Sequence, residues 1–130
     1  MDHTALLCTV LLGLLLFGLG IAVSVMRFLT KSLSGLPQDP ANVLHKLVRA
    51  HGNTAEYAPF LAALFLYLGS RAPASSTVLL MIVATVCRAL VVVGIVAWPT
   101  MAKPNPARFI GALGTYATGI ALCLALLRGA

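Results

Sequence analysis

Residues Arg49-Ala50-His51-Gly52-Asn53-Thr54-Ala55-Glu56-Tyr57-Ala58-Pro59-Phe60 hold the chain's densest grouping of chemically capable side chains. Read as a helix at about 100° per residue, Arg49, Asn53, Glu56 and Phe60 fall within about 60° of one another. A cation, an amide and a carboxylate therefore form one stripe. His51 points about 160° away from it. It joins the same site only where a neighbouring helix or subunit supplies the other wall. Glu56 is the one acid inside the apolar runs of the sequence. An ionised carboxylate in hydrocarbon is costly unless paired. Arg88, the only charge inside a later apolar run, is its expected partner. Two readings stay open at this point: a buried ion pair that pins two helices, or a polar, water-accessible cavity in which these charges also hold a ligand.

Such a cavity suits a particular ligand chemistry. Arg27, Arg49 and Arg108 fall near one end of the apolar runs, together with His51 and Asn53. Arginine forks bind carboxylates bidentately. Asn53 suits an amide and Glu56 an ammonium group. A small polar anion that also carries an ammonium group fits this set. Glutathione has two carboxylates, an ammonium group and two peptide amides, as do other peptides in part. Pro59 removes a backbone hydrogen bond near Ala55 and bends the helix, which either shapes the cavity or serves packing.

The elements that must position these residues are four apolar runs. The chain has 130 residues, 60% hydrophobic and 9% charged, against about 25% charged in a soluble domain. A soluble globule of that composition would be apolar over its surface, so an integral membrane protein of one domain is expected. The expected helices are about 5–29, 41–68, 77–98 and 107–127, giving an all-α four-helix bundle. Each reaches the roughly 20 residues needed to cross hydrocarbon. The first lacks the basic start of a signal peptide and is expected to be retained. The connections carry turn residues: Ser34, Gly35, Pro37 and Pro40 in the first, Pro73 in the second, Pro104 and Pro106 in the third. No long period-two pattern competes.

Charge sets the expected orientation. Arg27, Lys31, Lys46, Arg49, Lys103 and Arg108 cluster at the first and third connections, six against Arg71 and Arg128 on the other side. By the positive-inside rule those two connections face the cytoplasm and the termini face out. This distribution, with cations at the ends of apolar runs and no basic face interleaved with aromatics, argues against nucleic acid. Cys8, Cys87 and Cys123 sit inside apolar runs and read as small hydrophobes. There is no Gly-rich phosphate loop, CxxC or His/Glu metal pair. Gly111, Thr115 and Gly119, with Gly114 and Thr118 as a second row, mark a face where helices approach closely.

The segment from Arg49 to Phe60 resembles the Arg-Ala-His-x-Asn-x-x-Glu-x-x-Pro-Phe signature of the MAPEG family, the membrane-associated proteins in eicosanoid and glutathione metabolism. Arg88 and Arg108 match two further family arginines, and Arg27 matches less closely. The resemblance implies a homotrimer with glutathione sites between neighbouring subunits, open to the cytoplasm. It implies conjugation, peroxide reduction or isomerisation of lipophilic compounds that arrive from the membrane lipid. It assigns Arg27, Arg49, His51, Asn53, Glu56 and Arg88 to glutathione binding, and Arg108 to stabilising the thiolate. A nearby cation lowers a thiol pKa from about 8.5. The chain also departs from the eicosanoid-type members. Val91 and Ile95 stand where those carry His and Tyr, and Phe109 and Ala112 where they carry Ser and Tyr. Tyr116 lies a further turn along, at a position that does not match. Prostaglandin synthesis is therefore not expected, and the short chain and tight loops resemble the small bacterial members, which points to a bacterial inner membrane. The competing readings are a MAPEG-like protein without catalysis and a small four-helix transporter. The transporters of that size carry their membrane carboxylate in the first helix, which here is uncharged until Arg27.

Overall fold

The computed structural model describes residues 1–128. The chain forms four helices and, among the described residues, no strand: α1 His3–Thr30, α2 Val43–Gly69, α3 Ser75–Val96 and α4 Pro106–Leu127. α1, α3 and α4 are long and apolar enough to cross a membrane. α2 has 27 residues and is of comparable length, but its first half is polar. The exposed faces are apolar too, as along α1 at Leu7, Leu14, Phe17, Ile21 and Phe28. In water such a surface would drive association, whereas lipid covers it.

The helix ends follow from local chemistry. Asp2 caps α1 by accepting from Ala5 N at 2.8 Å. Asn42 caps α2 through Leu44 N at 2.9 Å, which sets the start at Val43, two residues later than Pro40 alone predicts. Asn105 caps α4 by accepting from Arg108 N at 3.2 Å, with Pro106 at the first helical position. That pairing of a capping side chain and a following proline favours a helix start. Each helix carries four orphan backbone donors at its start, and these caps satisfy one or two of them.

α2 and α3 sit in the middle of the bundle. α1 packs mainly on α2, α4 packs mainly on α3, and α1 and α4 do not meet among the described residues. α2 and α4 touch only slightly, which leaves a groove between them. Two apolar clusters form the core. One holds Cys8, Leu12, Leu61, Phe65 and Met81. The other holds Leu19, Ala50, Val91, Val92 and Ile95. Between them in both α2 and α3 lies a polar layer of Asn53, Thr54, Thr85 and Arg88.

The α3–α4 contact depends on small residues. A Cβ on Gly94 would lie 2.7 Å from Arg108 N, and one on Gly111 would lie 2.7 Å from Cys87 O. Thr115 and Thr118 are buried, and their hydroxyls donate to Gly111 O at 2.8 Å and Gly114 O at 2.7 Å. Gly119, expected in the same packed row, has open space where a Cβ would stand. The packed face therefore ends before Gly119.

The first and third connections meet at one end of the bundle, where Met101 N donates to Pro40 O at 3.1 Å. Lys46, counted from sequence among the cations clustered at the first connection, is buried. Its Nζ donates to Val96 O at 3.2 Å and Trp98 O at 3.1 Å. Val96 O is a terminal carbonyl of α3, which has no helical partner and lies at the negative end of the dipole, and Trp98 O belongs to the turn just beyond.

Candidate functional site

The α3 side of α2 carries the polar layer. Arg88 is 1% exposed. Its Nη2 donates to Asn53 O at 3.1 Å and to Asn53 Oδ1 at 2.7 Å. Its guanidinium lies 5.1 Å from the centre of the Tyr57 ring, within the range of a cation–π contact. Its Nε has no partner. The expected ion pair of Arg88 with Glu56 is not formed. The reason is helical geometry. Asn53 and Tyr57, four residues apart, share the face turned to α3, and Glu56 points about 80° away from the middle of that face. Glu56 is exposed and turned to the groove between α2 and α4.

A cavity of about 440 Å³ opens beside this layer. It is lined by Arg49 and Asn53 of α2, Arg88, Val91 and Ile95 of α3, and Arg108, Ala112 and Tyr116 of α4, with Pro40, Met101 and Ala102 from the two connections. Four of the seven residues singled out in the sequence thus line one space: Arg49, Asn53, Arg88 and Arg108. Three of them are arginines, and the lining contains no carboxylate. Arg108 also donates to Met101 O at 3.4 Å. The volume lies within the about 300–1,000 Å³ usual for small-molecule sites.

The other three lie elsewhere within the chain. Arg27 spans the start of the first connection, donating to Ser32 O at 3.2 Å and Gly35 O at 3.0 Å. His51 faces α1, where a Cβ on Gly20 would lie 3.4 Å from its Nε2. Glu56 lines the groove between α2 and α4, about 580 Å³, with Tyr57, Phe60, Leu61, Thr115, Tyr116, Gly119, Ile120, Cys123 and Leu124. This groove is almost wholly apolar apart from Glu56 and its hydroxyls. All three cysteines are free; Cys8 and Cys87 are buried, and Cys123 lies in the groove wall.

Sequence reasoning passed over Tyr57 and gave Tyr116 no place in the site. Their rings lie 5.7 Å apart, tilted at 49°. For Tyr57 the available signal is its position four residues after Asn53, which puts both on one helix face. For Tyr116 it is the same face as Ala112, one turn on.

A single buried arginine beside a cavity lined by two more, in a bundle of long apolar helices, marks an integral membrane protein with a polar internal space. The chain belongs to the MAPEG family, whose pattern it matches over residues 5–128. Neither curated proteins nor solved structures gave a match to it.

Proposed function

We propose that the protein is a membrane-bound, glutathione-dependent transferase or peroxidase acting on lipophilic electrophiles or hydroperoxides. The observation that carries this reading is the cavity lined by Arg49, Arg88 and Arg108 with no carboxylate. Of the three, Arg88 is buried with no carboxylate partner, which is unfavourable, and a carboxylate-bearing ligand in the cavity supplies the missing charge. Family membership supports the same reading, because the family includes glutathione-dependent transferases and peroxidases.

In this reading Arg49 holds a glutathione carboxylate through paired N–H donors, and Arg108 stabilises the thiolate. Asn53 keeps Arg88 oriented by accepting two of its hydrogen bonds. Positive charge around the cavity lowers the thiol pKa and raises the nucleophilic fraction. The apolar end of the groove between α2 and α4, beyond Glu56 at Phe60, Ile120 and Leu124, admits the lipophilic substrate from the bilayer.

The working unit is a homotrimer. Glu56 lies exposed in the groove between α2 and α4, where lipid is a poor solvent for a carboxylate. A neighbouring subunit covers it and closes the site, which gives Glu56 the ammonium group of glutathione as a partner. His51 and Arg27 contribute from their places against α1 and the first connection. The site opens to the cytoplasm of a bacterial cell, with the chain in the inner membrane and its termini outside.

A second reading, a member of the family without catalysis, also has an observation behind it. Val91, Ile95 and Ala112 line the cavity itself, so the departures from the eicosanoid-type pattern fall on its wall. Glutathione-dependent turnover separates the two. Purified protein should conjugate a lipophilic electrophile or reduce a lipid hydroperoxide, and Arg108→Ala should lower the rate at least tenfold. A glutathione-binding trimer that turns over neither class supports the second reading.

A further inference from the structure

We infer that Asn105 is a positioning residue for Arg108: by tying the first turn of α4 to the end of α3, it sets where the Arg108 guanidinium stands in the cavity. This rests on the reading of the protein as a glutathione-dependent enzyme in which Arg108 faces the sulfur.

Asn105 is buried and uses both ends of its amide. Its Oδ1 accepts from Arg108 N at 3.2 Å, and its Nδ2 donates to Gly94 O at 2.6 Å. Only the first of these bonds caps a helix. Gly94 lies in the last turn of α3, where carbonyls lack helical partners. The second bond therefore joins two helices. Local sequence prescribes the geometry. A residue before proline is held extended, and Asn105, followed by Pro106, has φ −137° and ψ 114°. Gly94 completes the joint. A Cβ there would lie 2.7 Å from Arg108 N and 3.0 Å from Arg108 Cα. The backbone of Arg108 thus rests on the same residue whose carbonyl Asn105 holds.

The side chain of Arg108 has no comparably firm anchor. The bond from its Nη1 to Met101 O is long, at 3.4 Å. The reach of the guanidinium is therefore set by its Cα, and the Cα is set by Asn105 and Gly94. Asn105 does not line the arginine cavity, so it acts on the sulfur only through Arg108. The thiol gives its proton to water, and a nearby cation favours the thiolate that remains. That attraction weakens with distance, so a displaced Arg108 leaves the thiol less acidic.

The test follows the ultraviolet absorbance of glutathione thiolate bound to the purified oligomer as pH is varied. Calorimetry on the same samples gives glutathione affinity, and circular dichroism gives melting temperature. Asn105→Ser keeps a capping oxygen but is too short to reach Gly94 O, whereas Asn105→Ala loses both bonds. Asp2→Ala removes the cap of α1, beside the end of α2 where Asp2 N donates to Gly69 O and away from the cavity lining. Asn105→Ser should melt closer to the wild type than Asn105→Ala does. Both should raise the bound thiol pKa by about 0.5–1 unit, equivalent to about three- to tenfold less thiolate near neutral pH. Affinity should stay within about twofold, and kcat should fall with KM for glutathione little changed. The deficit in kcat should close as pH rises above the shifted thiol pKa. Asp2→Ala should lower the melting temperature and leave the thiol pKa in place. Arg108→Ala is the reference, and it should raise the thiol pKa at least as far. A thiol pKa that Arg108→Ala raises and Asn105→Ser leaves in place would overturn this inference and keep the enzyme reading. An equal rise in Asp2→Ala would do the same. A wild type that binds no glutathione, or an Arg108→Ala variant with an unchanged thiol pKa, would contradict the proposed role of Arg108 and this inference together.

Discussion

Arg88 meets Asn53 twice, at the backbone carbonyl 3.1 Å away and at the side-chain oxygen 2.7 Å away, and does not meet Glu56. One amide residue therefore orients the most buried cation in the chain. Its partner carboxylate is left to come from elsewhere, and the cavity beside it is where a ligand would bring one.

This arrangement separates two variants that an ion pair would make equivalent. Asn53→Ala removes an acceptor from a buried cation and should destabilise the fold by about 1.5–3 kcal/mol. Glu56→Gln should change stability by no more than about 0.5 kcal/mol, as for an exposed position. Thermal unfolding in detergent, followed by circular dichroism, gives both values. Equal losses would restore the ion-pair account.

The α3–α4 seam makes a graded prediction. Gly94→Ala and Gly111→Ala place a Cβ against backbone 2.7 Å away, and each should cost about 1–3 kcal/mol through overpacking. Gly119→Ala, with open space around it, should be neutral or slightly stabilising, since alanine favours helix. The same melting curves read all three.

Lys46 ties α2 to the end of α3 through Val96 O and Trp98 O. Lys46→Met keeps most of the apolar stem but strands two carbonyls, and about 1–3 kcal/mol of stability should be lost. The effect should be local. Limited proteolysis should cut faster at the turn over residues 97–105 and no faster at the turn near Pro73. Uniformly faster cleavage would mean that Lys46 supports the whole bundle.

Much of this was legible in the sequence because membrane helices announce themselves by length and apolarity. α1 was expected at 5–29 and runs from His3 to Thr30. α3 was expected at 77–98 and runs from Ser75 to Val96. The start of α2 was less legible, since the Asn42 side chain outweighs the signal of Pro40. The stripe of Arg49, Asn53 and Glu56 is real as an α2 face, yet a helix face is wide. Which edge of it meets α3 depends on packing that a single helix does not encode. Asn53 fell on the side of Arg88, and Glu56 fell outside. Tyr116 was weighed against the family's tyrosine position and set aside, because its place follows from the gap between α2 and α4, which only the assembled bundle defines.

Glutathione binding to the detergent-purified protein, measured by calorimetry for the wild type and for Arg49→Ala, tests the central claim most directly. The account predicts saturable binding by the wild type and at least a tenfold loss in Arg49→Ala, whose guanidinium lines the cavity. A folded, oligomeric wild type that takes up no glutathione, or an Arg49→Ala variant that binds as tightly as the wild type, would contradict it.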